Sequence, residues 1–244
     1  MYPVYIPSKG RAETATTPKL LEQVNIPYTL VVEQQEARDY IKHFPNARVT
    51  VLNESHRGIA YARNAILEYA RSDHPGWYWM IDDDIKQFYR LQDTIFLNDT
   101  ARVLEDVEKL VNQHQRLAQA TIGRKNRTKQ KLPLCWNVSC CGCVCNHADR
   151  VGTYREHVQE DTDMSLQVVS AGYMTVQFNH IVLSTPLRGQ NTGGLQEAYA
   201  RKDPLEWSQN LVNIWGSAIC RIKKTKSAVK VHVNWDYFPS PLEK

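Results

Sequence analysis

The chain has 244 residues, of which 42% are hydrophobic and 23% are charged, and its net charge is +4 at pH 7. This length can bury a sizeable core in one or two domains, and the chain shows neither a signal-peptide pattern nor an apolar run near the roughly 18 residues of a membrane-spanning helix. We therefore expect a cytoplasmic protein whose six cysteines are reduced thiols.

Predicted strands and helices alternate along the first third of the chain. A first helix is expected to start at Pro18, with Thr16 or Thr17 as its cap. Hydrophobic periodicity predicts strands over residues 3–6, 28–32, 49–52 and 77–81, and helices over residues 36–44 and 58–71. This alternation predicts an α/β fold with a mostly parallel central sheet, flanked by helices and joined by right-handed crossovers. There is no Gly-x-Gly-x-x-Gly or Gly-Lys-Ser/Thr motif, so neither a dinucleotide cofactor nor a phosphate-loop ATPase is indicated.

The second part of the chain has a less regular pattern. A helix is predicted over residues 101–117, capped by Asp99 or Thr100. Further strands are predicted over residues 136–145, 173–178 and 229–235, and further helices over residues 161–171 and 205–215.

An apolar run over residues 77–81 ends at three consecutive carboxylates, Asp82, Asp83 and Asp84. The run has the character of a buried strand, and open α/β sheets bind ligands at the carboxyl ends of their strands. Three carboxylates crowded there repel one another unless a cation offsets their charge, and oxygen ligands favour Mg²⁺ or Mn²⁺ with a bound diphosphate. We interpret this motif as a metal site, with a solvated acidic turn as the alternative.

A second acidic group, Glu160-Asp161-Thr162-Asp163, precedes a predicted helix. Acids at a helix N-terminus are ordinarily caps that interact with free backbone amides and the helix dipole. Beside a metal-bound phosphate leaving group, however, such an acid can deprotonate an alcohol, which makes Asp161 a candidate base.

Arg63 and Asn64 lie at one edge of the helix predicted over residues 58–71. An arginine there is ordinarily a surface residue, and the alternative is an anchor for a pyrophosphate or nucleotide through its planar guanidinium. The glycine-rich residues 189–194 could close over a ligand or form an ordinary turn.

The cysteine-rich segment from Cys140 to His147 raises the question of a zinc site. On an extended strand Cys141, Cys143 and Cys145 would lie about 6.7 Å apart in succession, whereas zinc thiolates must converge to within about 4 Å. A buried strand of small residues is therefore favoured, with the thiols packed as small apolar groups.

Two segments contain bases and no acids, residues 112–148 and residues 207–235. Such segments on a nearly neutral protein indicate an anionic partner, with a solvated loop as the alternative. The candidate contacts to nucleic acid are Arg124, Lys125, Arg127, Lys129 and Lys131.

Taken together, these motifs resemble the GT-A (Rossmann-like) class of glycosyltransferases, and more narrowly the TET-associated glycosyltransferases of bacteriophages. The motifs that carry the resemblance are, in chain order, Pro7-Ser8-Lys9-Gly10-Arg11, Glu33, Gly58-Ile-Ala-Tyr-Ala-Arg63-Asn64, Asp82-Asp83-Asp84 and Glu160-Asp161. The resemblance implies a single domain over residues 1–244, with a nucleotide-sugar-binding half (1–90) and an acceptor-binding half (91–244).

The resemblance also implies roles for individual residues. The nucleotide sugar would contact Pro7, Ser8, Gly10, Arg11, Glu33, Arg63, Asn64, Asp82 and Asp83. Asp84 would be the principal ligand of Mn²⁺ or Mg²⁺, with Asp82 and either His180 or His232 as further candidates. Asp161, assisted by Glu160, would be the catalytic base of an inverting transfer.

The expected function is metal-dependent transfer of a sugar from a nucleotide sugar, a UDP-sugar, to the hydroxymethyl group of 5-hydroxymethylcytosine in phage DNA, without membrane association. A base inside a duplex cannot easily present this group, so a flipped or single-stranded substrate is considered. The alternatives are a nucleotidyltransferase, a glycosyltransferase with a glycan, lipid or protein acceptor, and a non-enzymatic DNA-binding protein.

Overall fold

The structure is a computed structural model that describes residues 1–92, 95–125, 132–186, 193–194, 203–224 and 229–239. Its main sheet consists of β1 (Val4–Pro7), β2 (Thr29–Val32), β3 (Arg48–Val51), β4 (Trp77–Ile81), β5 (Gln87–Gln92), β6 (Ile95–Asn98), β7 (Leu117–Arg124), β8 (Leu134–Trp136), β9 (Cys143–His147) and β10 (Met174–Ser184). The helices are α1 (Thr17–Glu22), α2 (Ala37–His43), α3 (Ile59–Asp73), α4 (Thr100–Val111), α5 (Glu160–Ser170) and α6 (Asp203–Trp215). A separate hairpin consists of β11 (Cys220–Lys224) and β12 (Val229–Val233).

The order of strands in the main sheet is β3-β2-β1-β4-β9-β7-β10-β5-β6, and β8 pairs with β10. The first four strands pair in parallel, which confirms the parallel sheet predicted from the alternating pattern. β9 is antiparallel to β4 and β7, and β5 is antiparallel to β10. Because seven of the ten described strands still run in one direction, the sheet is mixed but mostly parallel, as expected.

Helices cover both faces of the sheet. Val4 and Ile6 of β1 pack on the face covered by α1, α2 and α4, whereas Tyr5 packs on the face covered by α3 and α5. Burial on both faces explains why β4 is apolar at every position rather than alternating. None of the helices in the described part of the chain is long and apolar enough to cross a membrane.

Two predicted elements differ from the structure around the sheet centre. The helix expected over residues 101–117 ends at Val111, and Leu117 instead starts β7. The polar Gln119 and Thr121 hid this strand from the hydrophobic pattern, although both are buried and hydrogen-bonded. The strand expected over residues 136–145 is split into β8 and β9, because the chain turns between them and Gly142 has a φ of 78°.

Several further predictions concern strands and caps. The hydrophobic pattern did not reveal β5, β6 or β11, whereas the buried cysteine strand is confirmed as β9. Asp99 caps α4 as predicted, accepting a hydrogen bond from the Arg102 amide. The predicted side-chain cap of α1 is wrong, because neither Thr16 nor Thr17 forms that bond.

Thr17 instead holds the aspartate loop against the start of α1. Its hydroxyl donates to the Asp82 carbonyl (2.6 Å) and accepts from the Ile85 amide (2.8 Å). The amides of Thr16 and Thr17 both donate to the Asp83 carbonyl, at 2.9 and 3.1 Å. The backbone of the three aspartates is therefore fixed by hydrogen bonds that do not involve their carboxylates.

We expect Thr17→Val to lower the free energy of unfolding by about 2–3 kcal/mol, because it leaves a buried carbonyl and a buried amide without partners. Thr16→Val is a matched control, since the Thr16 hydroxyl is buried and has no hydrogen-bond partner within the described residues. That variant should keep or slightly gain stability. Chemical denaturation of the three proteins measures the difference, and equal stability of the two variants would contradict the role of Thr17.

Candidate active site

The three aspartates follow β4 at the edge of the sheet where β1, β4 and β7 end and the antiparallel β9 begins. The Asp82 amide donates to the Gly142 carbonyl (2.7 Å), which joins the aspartate loop to the turn before β9. The amino end of α5 and Arg63 of α3 reach the same place, since Arg63 pairs with Asp82 and with Asp161. These residues define a cleft at the edge where α/β sheets commonly bind ligands.

Asp83 points into the protein rather than into the cleft. Its carboxylate is buried, accepts from Ser8 Oγ and lies 2.5 Å from Arg11 Nη1. Because the single Ser8 proton goes to Asp83, the hydroxyl of the buried Tyr40 donates to Ser8 (2.6 Å) and accepts from the Arg11 amide (3.1 Å). Burial raises the pKa of Asp83 despite the opposing effect of Arg11. Asp83 therefore anchors the loop after β1, an arrangement that no sequence motif around Tyr40 revealed.

Asp82 and Asp84 keep part of their surface in the cleft, with 35% and 27% of their side chains exposed. Asp82 lies 3.4 Å from Arg63 Nη2, and Asp84 lies 3.7 Å from Arg11 Nη1. Burial, followed by the like charges of Asp83 and Asp84, raises the pKa of Asp82 to about 6 although Arg63 opposes the rise. Burial therefore disfavours the charged form of Asp82, and the neighbouring carboxylates add to this effect.

Arg63 connects the two acidic groups. Its guanidinium contacts the carboxylate of Asp161, lies 3.2 Å from Glu160 and also pairs with Asp82. Only 6% of its side chain is exposed, so the surface position considered from the sequence is wrong. Burial alone would lower the pKa of Arg63, but Glu160 and Asp82 raise it and keep the guanidinium charged. A single cation therefore sets the spacing between the aspartate loop and α5.

The acids at the start of α5 have different environments. Asp163 is fully buried and bonds to Trp215 Nε1 (2.8 Å), Gln167 Nε2 (2.7 Å) and Arg155 (3.2 Å). Asp161 and Glu160 face Arg63. All three lie in the first turn, where the helix dipole favours acids. Asp163 is thus structural, whereas Asp161 remains accessible from the cleft.

A buried polar network fixes the start of α5. Ser165 Oγ lies 3.0 Å from the Asp161 carbonyl and from Gln119 Oε1, and it accepts from the Cys140 amide (3.0 Å). Gln119 Nε2 donates to Asn146 Oδ1 (2.8 Å) in β9. The backbone that carries Asp161 and the turn before β9 are therefore tied to the centre of the sheet.

The other residues predicted to contact the nucleotide lie at two places, the β1 loop and the contact between α3 and the segment before α5. Pro7 is the last residue of β1, and the Gly10 amide donates to Glu36. Glu33 accepts from Lys9 Nζ, the His56 amide and Gln35, and these bonds lower its pKa although burial opposes them. Asn64 forms two hydrogen bonds of 2.8 Å with the backbone of Tyr154, which joins α3 to the segment before α5.

Gly193 and Gly194 pack directly on the β1 loop. The Gly194 amide donates to the Lys9 carbonyl (3.0 Å), and Arg11 Nη2 lies 3.5 Å from the Gly193 carbonyl. A Cβ atom on Gly193 would lie 2.7 Å from the Lys9 carbonyl oxygen, so this approach requires glycine. Residues 189–192 of the proposed closing segment lie outside the described residues.

Neither histidine proposed as a metal ligand lies next to the aspartates in the order of strands. His180 is on β10, three strands from β4, with Nδ1 3.3 Å from the Pro133 carbonyl. His232 pairs with Arg221 in the hairpin of β11 and β12. Three predicted DNA contacts, Arg127, Lys129 and Lys131, lie outside the described residues.

Arg124 and Lys125 are described. Arg124 is the last residue of β7 and lies at the cleft, and Lys125 follows it. A Cβ atom on Gly142 would lie 3.4 Å from Arg124 Nη2 and 3.6 Å from Asp82 Oδ2, so both groups approach the same glycine. Lys125 Nζ lies 3.8 Å from the centre of the Tyr89 ring. The glycine in an otherwise cysteine-rich segment was the sequence signal for this close approach.

The side chains of the cleft could bind a divalent cation only if further ligands came from a substrate or from water. Among the described residues there is no cluster of three or more His, Cys, Asp or Glu side chains with the geometry of a metal site. Asp82 and Asp84 nevertheless present two partly exposed hard oxygen groups with excess negative charge, which suits Mg²⁺ or Mn²⁺ completed by phosphate oxygens and water.

Comparisons with known proteins agree with this fold. The chain is similar to the structure of GalNAc-T7 with UDP, GalNAc and Mn²⁺, with a TM-score of 0.52 and 11% identity, covering 76% of this chain and 43% of that one. It is also similar to A197 from STIV, with a TM-score of 0.46 and 13% identity, covering 77% of this chain and 86% of that one. No curated protein matches. The fold is the GT-A fold of glycosyltransferases, as expected.

A family model described as TET-Associated Glycosyltransferase matches residues 2–193, which include the whole acidic cleft. The chain therefore belongs to the TET-associated glycosyltransferase family, and it is a glycosyltransferase with the fold of enzymes that use nucleotide sugars. The resemblance inferred from the motifs is confirmed. The alternative of a non-enzymatic DNA-binding protein is wrong.

We expect Asp82→Asn to stabilise the metal-free protein at pH 7.5 but not at pH 4. The pKa of Asp82, about 6 against an ordinary 3.8, means that the folded state binds this proton more tightly than the unfolded state. The stability penalty is therefore absent below the ordinary pKa and complete above the raised one. A shift of one pKa unit corresponds to about 1.4 kcal/mol, and solvent screening of this partly exposed group reduces the expected gain to about 1 kcal/mol.

Glu33→Gln provides the opposite control, because the pKa of Glu33 is lowered and its charge stabilises the fold above its ordinary pKa. Denaturant unfolding at both pH values, with chelator present, measures the effects. A loss of stability for Asp82→Asn that is larger at pH 7.5 than at pH 4 would contradict the proposed charge excess.

Proposed function

We propose that the protein transfers a sugar from a UDP-sugar to the hydroxymethyl group of 5-hydroxymethylcytosine in phage DNA, with inversion at the anomeric carbon. The observation that carries the chemistry is the position of Asp161. It lies across a single guanidinium, that of Arg63, from Asp82 at the end of β4. An accessible carboxylate separated by one guanidinium from the loop expected to bind the diphosphate is suited to accept a proton from an attacking alcohol.

We assign residues 1–90 mainly to the donor and residues 91–244 mainly to the acceptor. Ser8, Glu33 and Arg11 follow the ends of β1 and β2, where the nucleoside and diphosphate would lie. Asp84 and Asp82 would hold Mn²⁺ or Mg²⁺. When bound, such an ion supplies charge neutralisation for the departing diphosphate.

The side chains of the cleft have distinct tasks in this proposal. Arg11 is held by Asp83 beside Asp84, which places a guanidinium charge next to the loop where a diphosphate would lie. Arg63 orients Asp161, and Glu160 shares that guanidinium. Asp161 takes the proton of the acceptor hydroxyl while the oxygen attacks the anomeric carbon opposite the leaving diphosphate. The network through Ser165 fixes the backbone of Asp161 during the attack.

Support for DNA as the acceptor comes from the family and from charge. The family description associates these transferases with TET enzymes. Arg124 lies near Asp82 at the turn of Gly142, and the next residue, Lys125, lies over the aromatic ring of Tyr89. Basic side chains next to an aromatic ring suit a nucleic-acid strand. The phosphates of the strand pair with the cations, and its nucleobases stack on the ring.

The direct test is mass spectrometry of nucleosides from hydroxymethylated DNA incubated with the protein, Mn²⁺ and a panel of nucleotide sugars. A hexose or pentose added to 5-hydroxymethylcytosine, with release of a nucleoside diphosphate, supports the proposal. Release of pyrophosphate would indicate a nucleotidyltransferase. Donor hydrolysis without modified nucleosides would direct the search to glycan, lipid or protein acceptors.

We expect Asp84→Asn to weaken Mn²⁺ binding in the presence of UDP and to reduce transfer by at least about 100-fold, because it removes a ligand charge. Stability should not fall, since the change also relieves repulsion from Asp82 and Asp83. Electron paramagnetic resonance of Mn²⁺ measures binding independently of turnover. Unchanged Mn²⁺ affinity together with near-normal transfer would exclude Asp84 as a ligand.

We expect Asp161→Asn to lower kcat by about 10² to 10⁴ with little change in UDP affinity, because the group acts on the acceptor proton. Asparagine keeps the shape of the side chain. Asp163→Asn is the matched comparison, since Asp163 is buried against Trp215 and should affect stability more than turnover. If Glu160→Gln lost the activity while Asp161→Asn retained it, the base would be Glu160.

A further inference from the structure

Arg124 lies in the cleft itself. The sequence places it in a basic segment without acids, yet its guanidinium and the Asp82 carboxylate approach the same glycine, Gly142, at 3.4 and 3.6 Å from the position of a Cβ atom. A glycine at position 142 leaves the space between the two groups free of a side chain.

The sheet order shows which side of Asp82 this cation occupies. The β1 loop with Ser8 and Arg11 lies on one side of β4, whereas β9 and then β7, which carries Arg124, lie on the other. The proposed donor residues therefore face Asp82 from the β1 side. Arg124 faces it from the opposite side, which is left for the acceptor.

An anionic acceptor needs such a cation. The cleft contains the carboxylates of Asp82, Asp84, Glu160 and Asp161, and these repel a phosphate that approaches a hydroxyl near them. A guanidinium matches the oxygens of a phosphate through paired hydrogen bonds. An arginine beside Asp82 can therefore offset part of this repulsion.

We propose that Arg124 binds the 5′-phosphate of the same nucleotide whose hydroxymethyl group accepts the sugar. This inference rests on the proposed function and deepens it. The C5 substituent of a pyrimidine projects into the major groove, and in the usual anti conformation the nucleotide's own 5′-phosphate lies on that side of the base. The guanidinium of Arg124, which lies beside the reacting groups, would therefore contact this phosphate. The contact forms most easily when the nucleotide is flipped out or single-stranded.

The acceptors for the test are short single-stranded oligonucleotides with one 5-hydroxymethylcytosine. One carries normal phosphodiesters, the second a neutral methylphosphonate at the 5′ linkage of the modified nucleotide, and the third a methylphosphonate three linkages away. The wild type is compared with Arg124→Gln and with Arg116→Gln. Arg116 is the matched control because it is exposed, bonds to the Gly172 carbonyl and directly precedes β7, at the far end from Arg124.

For the wild type, we expect the 5′ methylphosphonate to lower kcat/KM by about tenfold or more, as for a lost charge-assisted hydrogen bond, and the distant methylphosphonate to change it little. Arg124→Gln should lower kcat/KM on the normal oligonucleotide by a similar factor. It should also show no further loss on the 5′ methylphosphonate, because the interaction is already absent. Arg116→Gln should keep the full sensitivity of the wild type.

Four outcomes would overturn the inference. If Arg124→Gln retained the wild-type sensitivity to the 5′ linkage, Arg124 would be only a counter-ion of Asp82. Weaker UDP binding by Arg124→Gln in calorimetry, with that sensitivity intact, would place it at the donor diphosphate. Wild-type transfer that ignores the 5′ linkage would remove this contact while leaving the proposed function in place, whereas donor hydrolysis without transfer to any oligonucleotide would reject both.

Discussion

The crowding of carboxylates at one edge of the sheet is the constraint on which the rest of the site depends. Asp82, Asp83 and Asp84 follow a buried strand, and α5 brings Glu160 and Asp161 to the same cleft. Like charges at such separations repel strongly in a partly buried environment. The fold accommodates them with arginines from three different elements and keeps a residual negative charge. That residual charge suits the divalent cation of the proposed function, and such a cation would in turn offset the charge of a diphosphate.

Sheet topology divides the surroundings of Asp82 into two sides. The parallel strands β2 and β1 end on one side, where Glu33 and the loop carrying Arg11 lie. The antiparallel β9 then separates β4 from β7, so the end of β7 reaches the other side. In the inverting transfer proposed above, the acceptor oxygen and the leaving diphosphate lie on opposite sides of the anomeric carbon. The division around Asp82 is compatible with this arrangement, and the acceptor would then approach from the β7 side.

The buried polar groups near the cleft hold backbone rather than substrate. The Thr17 hydroxyl fixes the aspartate loop, and Ser165 with Gln119 fixes the start of α5. Such groups cost free energy in a core unless every hydrogen bond is made. These polar groups occur in an otherwise apolar interior because the carboxylates of the aspartate loop and those of α5 must keep a fixed spacing. Asp83 has the same task, since it holds Arg11 instead of facing the cleft.

Local features of the sequence were sufficient to predict the parallel first half of the sheet and the acidic motifs. These features are the spacing of apolar residues, the residues typical of turns and the abrupt end of an apolar strand. The motifs also indicated the family, since they retain their order along the chain. Only the folded structure shows that Gln119 lies in a central strand, that Arg63 is buried and that Arg124 and Asp82 approach the same glycine. These features depend on partners far apart in the chain. A polar residue in a strand can be buried with its hydrogen bonds formed, or it can be exposed to solvent. The neighbouring sequence does not distinguish these two cases, and the same holds for an arginine or lysine in a basic segment.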